Sequence, residues 1–178
     1  DGYGAAYIFV RNNNESWPEN ETQKLTASNG AMSDYFGYSV AISGATAIVG
    51  AYYEEPDDLY QGGAAYIFTK NGNTWSETQK LVASDRGGGD KFGRSVAISG
   101  TTAIVGTRLE DPDGVRNAGA AYIFTKNGDT WSETQKLTAS DPEFNDNFGA
   151  RVAISGTTAI VGAQWEDPDG VSNAGAAY

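Results

Sequence analysis

The sequence predicts an all-β protein, a β-propeller of four-stranded antiparallel blades, and three observations carry that reading. One pattern returns at a fixed interval: Phe-Gly stands at Phe36-Gly37, Phe92-Gly93 and Phe148-Gly149, and 92 − 36 and 148 − 92 both equal 56. "VAISG" follows each pair at Val40, Val96 and Val152, "AIVG" begins at Ala47, Ala103 and Ala159, and "GAAY" begins at Gly4, Gly63, Gly119 and Gly175. A period of that length marks an array of supersecondary units. Each period also holds strand-forming runs separated by Gly and Asn turns, and no segment keeps a helical period. Finally, "VAIS" and "AIVG" are apolar at consecutive positions. Both faces of such strands must be covered, as they are when blades stack around an axis.

The elements follow in chain order. Residues 1–35 read as a half-blade, the third and fourth strands of a unit. Repeats 36–91 and 92–147 are complete, and 148–178 is a partial repeat supplying strands one to three. In the first complete repeat, "SVAISG" (Ser39–Gly44) turns tightly into "TAIVGA" (Thr46–Ala51). A loop leads to "GAAYIFTK" (Gly63–Lys70), and Asn71-Gly72 supplies the positive φ angles of a hairpin. The outer strand "TWSETQKLVA" (Thr74–Ala83) places Trp75, Leu81 and Ala83 on one face with Glu77 and Gln79. Trp17, Trp75 and Trp131 recur ahead of the three "TQKL" runs and read as blade-packing residues. Propellers have four to eight blades. Three units therefore predict part of a six- or seven-bladed ring, completed by a longer chain or by a second copy.

Composition narrows the function. Twelve Lys and Arg against 23 Asp and Glu give a net charge of −11, a balance that repels phosphate backbones and excludes nucleic acid as partner. The absence of His and Cys removes the commonest general base, thiol chemistry and the usual zinc ligands. No apolar run reaches the length of a membrane span. Repeated loops give repeated acids without distinct acid and base environments, so the chain does not read as an enzyme.

Phe36-Gly37 with Gly50-Ala51, and their later copies, resemble FG-GAP repeats, the blade unit of integrin α-subunit propellers. The fuller pattern "W…QKL-AS…FG-SVA-SG-TAIVGA…GAAYIF" is similar to the bacterial-type variant of that repeat. Two departures qualify the resemblance. The third letter of the "GAP" element is Tyr52, Arg108 or Gln164. The calcium-binding relatives carry an aspartate-rich loop between the first two strands, where this chain has only Ser43-Gly44-Ala45-Thr46 and its copies. So short a turn cannot supply six or more oxygen ligands, and the integrin-type calcium sites are not carried over.

Blade topology sends the loops between strands two and three, and the connections between successive blades, to one end of the molecule. Most of the acids fall there, as expected of soluble turns. "EDPDG" offers an alternative, a Ca²⁺ site where Glu110, Asp111 and Asp113 converge; otherwise no cofactor is expected. Against the nearly constant frame, the positions just past the second strand change completely: Tyr52-Tyr53, Arg108-Leu109 and Gln164-Trp165. Exposed aromatics beside amides and an Arg can stack on a sugar or anchor a protein, or else pack against the neighbouring blade's loop. The expected function is a non-catalytic extracellular or cell-surface binding module for a glycan, similar in architecture to lectins built on integrin-like propellers. The alternative is an integrin-like adhesive or structural module that binds a surface protein. Asn14 in "NES" and Asn20 in "NET" fit the N-glycosylation pattern of a secreted protein.

Overall fold

The computed structural model describes residues 4–178, with the side chain of Asp169 excepted. The half-blade pairs β1 (Ala6–Ile8) with β2 (Gln23–Leu25). The first complete blade orders β3 (Ser39–Ser43), β4 (Thr46–Ala51), β5 (Ala64–Asn71) and β6 (Thr74–Leu81) side by side. The second repeats this with β7 (Ser95–Ser99), β8 (Thr102–Thr107), β9 (Ala120–Asn127) and β10 (Thr130–Leu137). The last sheet contains β11 (Phe148–Ser155), β12 (Thr158–Ala163) and the short β13 (Ala176–Ala177). Every strand pair is antiparallel.

The hairpin turns differ in detail from the expectation. Asn71 pairs with Thr74, so Gly72-Asn73 forms the two-residue loop and Gly72 alone takes the positive angle, φ 59°. Glycine at the first loop position is the signature of a type II′ turn. The Ser43–Thr46 pair encloses Gly44, φ 58°, in the same way.

The continuous apolar runs work because each blade buries two faces. From the first complete blade, Ala47, Val49, Tyr66, Phe68 and Trp75 pack back against Ala6 and Leu25 of the half-blade. Ile48, Ala65, Ile67 and Leu81 of the same blade pack forward against Phe92, Val96, Val105 and Trp131. Trp75 and Leu81 thus serve opposite faces, contrary to the sequence expectation. A register shift in the β5–β6 ladder, where Phe68 opposes Glu77 and Ile67 opposes Gln79, leaves Thr78 unpaired. The extra residue reverses the alternation halfway along the strand. Glu77 accordingly reaches back, accepting from Ser28 N and Oγ at 2.8 Å each. Gln79 reaches forward, donating to Trp131 O at 2.6 Å and accepting from Trp131 N at 2.8 Å. Gln23 makes the same clasp with Trp75, and Glu133 the same contact with Ser84.

Trp17 is the second correction. Trp75 and Trp131 are buried, but Trp17 is 66% exposed; it stands five residues before Thr22, where Trp75 and Trp131 stand three before Thr78 and Thr134, so the longer turn carries it out of their register. The Arg11 guanidinium lies 6.0 Å from the Trp17 ring.

The repeated glycines rivet blade to blade. Gly63 and Gly119 form parallel bridges to Phe92 and Phe148. Gly93 and Gly149 take φ 85° and 84°, and a Cβ on either would strike the carbonyl of Ala64 or Ala120. These contacts explain why Phe-Gly and Gly-Ala-Ala recur unchanged, and they hold the loop-bearing ends of adjacent blades together.

Candidate functional site

Most acids at the loop end are committed to building it. Asp34, Asp90 and Asp146 each accept, through Oδ2, from the backbone N–H three residues earlier, at Ala31, Gly87 and Glu143. Their own carbonyls accept from Tyr53, Leu109 and Trp165, which fixes where the strand 2–3 loops begin. Asp111 accepts from the Asn117 backbone N–H at 2.6 Å, and Asp167 from that of Asn173. Each loop then makes one 3₁₀ turn, at Pro56–Asp58, Pro112–Gly114 and Pro168–Gly170.

The glutamate of "EDPDG" has a different task. Glu110 is buried and its Oε1 lies 2.7 Å from Lys136 Nζ, which also contacts Asp85 Oδ2 at 2.7 Å. Tyr122 donates to Asp85 Oδ1 at 2.6 Å. Burial pushes the Glu110 carboxyl up, with Lys136 offsetting only part of the effect. Burial also raises Asp85, but the hydrogen bonds from Lys136 and Tyr122 outweigh it and hold this carboxyl below its ordinary value. The first blade repeats the arrangement with Glu54, Lys80, Tyr66 and Asn29.

Glu110, Asp111 and Asp113 therefore do not converge as the Ca²⁺ expectation required. Glu110 turns inward to Lys136, Asp111 caps its own loop, and exposed Asp113 occupies a left-handed turn position, φ 53°. Among the described residues, no three acidic side chains form a group able to hold a metal ion. Chelation with EDTA is expected to leave the melting temperature unchanged. A site held at a hundred times its dissociation constant would add about 2.7 kcal/mol, so a drop restored by Ca²⁺ would locate metal in these loops after all.

The changing positions behave otherwise. Tyr52 and Tyr53 join Tyr35 and Tyr38 in one cluster, with ring centroids 4.4 Å apart for Tyr38–Tyr52, 4.5 Å for Tyr52–Tyr53 and 5.0 Å for Tyr35–Tyr53. The second blade faces this cluster with cations. Arg94 lies 5.0 Å from the Tyr38 centroid and 5.4 Å from that of Tyr52, and Lys91 lies 4.7 Å from that of Tyr53. Arg108 donates to Asn147 Oδ1 at 2.7 Å. Burial, then the neighbouring Arg94, lowers the affinity of Arg108 for its proton. Burial and the adjacent tyrosines likewise raise Tyr52.

Of the six residues singled out by sequence, Tyr52, Tyr53 and Arg108 come together at this seam. Leu109 is half-buried behind it, while Gln164 and Trp165 stand exposed one blade further on. No hydrogen bond or ring contact among the described residues joins Trp165 to the cluster. Tyr35, Tyr38, Lys91 and Arg94 were missed because they flank the constant Phe-Gly pairs, which read as core. The signal was present: each position varies across repeats, as Tyr35/Lys91/Asn147 and Tyr38/Arg94/Ala150. Tyr35, Lys91 and Asn147 also share a left-handed backbone, φ 56°, 63° and 59°, an uncommon state for Tyr and Lys.

Both sequons fall in the long turn of the half-blade. Asn14 and Asn20 are exposed, and Asn14 Oδ1 accepts from Ser16 N and Oγ at 3.2 and 2.7 Å. No helix of the described residues is long and apolar enough to cross a membrane.

The FG-GAP repeat model matches three times, over residues 20–68, 75–124 and 131–178. Each match runs from the outer strand of one sheet through the third strand of the next, so it spans one of the blade junctions described above. A comparison with curated proteins finds no match. Matched over most of its length, with its Phe-Gly and Gly-Ala letters accounted for by blade-to-blade contacts, the chain belongs to the FG-GAP repeat family and is a propeller-type repeat module.

Proposed function

We propose that this module is a non-catalytic, extracellular or surface-displayed binding protein that takes carbohydrate at the loop-bearing end of the propeller. The observation that carries the reading is the Tyr35–Tyr38–Tyr52–Tyr53 cluster. Four positions that vary between otherwise constant repeats meet at one seam, and in the first blade all four are tyrosine. Tyrosine offers a flat apolar face and a hydroxyl donor at low entropic cost, a combination suited to polyhydroxylated rings. Tyr35 and Tyr38 are 51% and 45% exposed, which leaves part of each side chain within a ligand's reach. Most acids at the loop end are engaged in turns and ion pairs, which favours binding over chemistry. Trp165, 45% exposed at the equivalent position of the last sheet, offers a second aromatic platform.

A glycan array tests the reading. The wild-type chain is expected to bind, and Tyr53→Ala with Trp165→Ala to abolish binding while the melting temperature holds. A flat array, with saturable binding to a surface protein instead, would replace this reading by the adhesive one.

A further inference from the structure

We infer that the sugar taken at this seam is acidic, a saccharide whose carboxylate is gripped by Arg94 and Arg108 while its ring rests on Tyr38 and Tyr52. The inference rests on the carbohydrate reading above and adds the ligand's charge. In a chain of net charge −11, cations ought to find carboxylates easily, and elsewhere several do: Arg11 with Glu15, Lys80 with Glu54, Arg86 with Asp57, and Lys136 with Asp85 and Glu110. Lys91, Arg94 and Arg108 gather at the tyrosine cluster, yet none forms an ion pair among the described residues. Like charges held together and partly desolvated cost free energy unless an anion joins them.

The guanidinium groups are also incompletely used. Among the described residues Arg108 donates one side-chain hydrogen bond, to Asn147 Oδ1 at 2.7 Å, and Arg94 donates none; their Nε atoms are sealed from solvent, so the terminal nitrogens are the donors left for a ligand. A carboxylate offers several acceptor sites and can engage guanidinium donors in parallel, which makes this the strong pairing for such a site. Beside Arg94 opens a groove of about 350 Å³ lined by Tyr38, Ser39, Ser95 and Arg151 among others. It lies within the range of small-molecule sites and adds a further arginine to its wall.

The surroundings select against larger anions. Exposed Asp57, Asp58, Asp111 and Asp113 occupy the strand 2–3 loops of the same two blades, and they repel an extended acidic peptide or nucleic-acid backbone. A single carboxylate on an otherwise neutral sugar reaches the arginines without carrying charge across those loops.

The test uses the purified chain against an array of neutral, sulfated and carboxylated oligosaccharides, with acidic peptides alongside. Bound glycans are expected to carry a carboxylate and to bind at least ten-fold more tightly than their neutral counterparts. That preference should shrink as ionic strength rises, and Arg94→Gln and Arg108→Gln should each reduce it ten-fold or more with the melting temperature maintained. Wild-type salt dependence gives a readout that needs no variant. Equal binding of neutral and carboxylated glycans, unaffected by the Arg variants but lost in Tyr53→Ala, would overturn the acidic ligand and leave the carbohydrate reading standing. Preference for sulfated glycans or acidic peptides would overturn it in favour of those ligands, and no glycan binding at all would remove the carbohydrate reading itself.

Discussion

Gly106→Ala is expected to destabilise the chain by at least about 3 kcal/mol, the upper end of ordinary overpacking effects, whereas Gly162→Ala at the matching position of the next repeat should be neutral or slightly stabilising. Neither glycine has a positive φ, so the difference is one of space. A Cβ on Gly106 would land on the Gly149 carbonyl oxygen and on Ser95 Oγ. That carbonyl already accepts the Ser95 hydroxyl at 2.8 Å, and it belongs to the rivet between two blades, so it cannot withdraw without parting them. A Cβ on Gly162 would meet nothing nearer than the Arg151 Cβ at 3.8 Å, and Ala in a strand gains up to ~1 kcal/mol over Gly. Thermal scans should separate the two variants by roughly 10 °C. Equal melting temperatures would show that the blades are not packed as closely as described.

The 178-residue chain is expected to associate in solution rather than remain an 18.8 kDa monomer. Val40 and Ile42 point towards the half-blade, which has no strands at the depth of β3, and they are 60% and 58% exposed. Their counterparts Val96 and Ile98 are 8% exposed each, because the preceding blade covers them. With Ala6, Ile8, Leu25 and Ile48 they line an open apolar groove of about 540 Å³, the kind of face and edge that recruits a further strand. Light scattering should report a mass above the monomer. The paired substitution Val40→Lys and Ile42→Glu should return it to the monomer with little loss of stability, since neither side chain is buried. A cooperative, well-folded wild-type monomer would contradict the expectation.

The strands were legible because their signals are local and repeated three times over. Thr46–Ala51 is β4 to the residue, and the apolar continuity of that strand correctly implied two covered faces. The bulge at Thr78 was not legible, because "TWSETQKL" alternates smoothly on paper and only the opposing strand reveals the extra residue. Trp17 misled for a different reason: two extra residues ahead of "TQKL" place it outside the register of Trp75 and Trp131, so it does not share their burial. At the site, Tyr52, Tyr53 and Arg108 were visible as departures from a constant frame. Lys91 and Arg94 vary across the repeats in the same way, but that they meet the preceding blade's tyrosines is a three-dimensional fact the sequence does not carry. The acids of "EDPDG" were ambiguous in sequence because turn capping, ion pairing and metal ligation draw on the same residue types.

The contacts that join one blade to the next reuse the same letters from junction to junction: Gln23 with Trp75 and Gln79 with Trp131, Ser39 with Gly93 and Ser95 with Gly149. Removing residues 92–147 would join Lys91 to Phe148; Ser39 could then meet Gly149 as it now meets Gly93, while Gln79 would lose its Trp131 partner. Recombination between the near-identical stretches of such a gene could therefore change the number of units without opening a gap in the fold. What it could not preserve is the Lys91–Arg94–Arg108 set, which straddles a single junction between two units. The scaffold can be copied and trimmed freely, while its recognition chemistry is carried by a few letters that do not repeat.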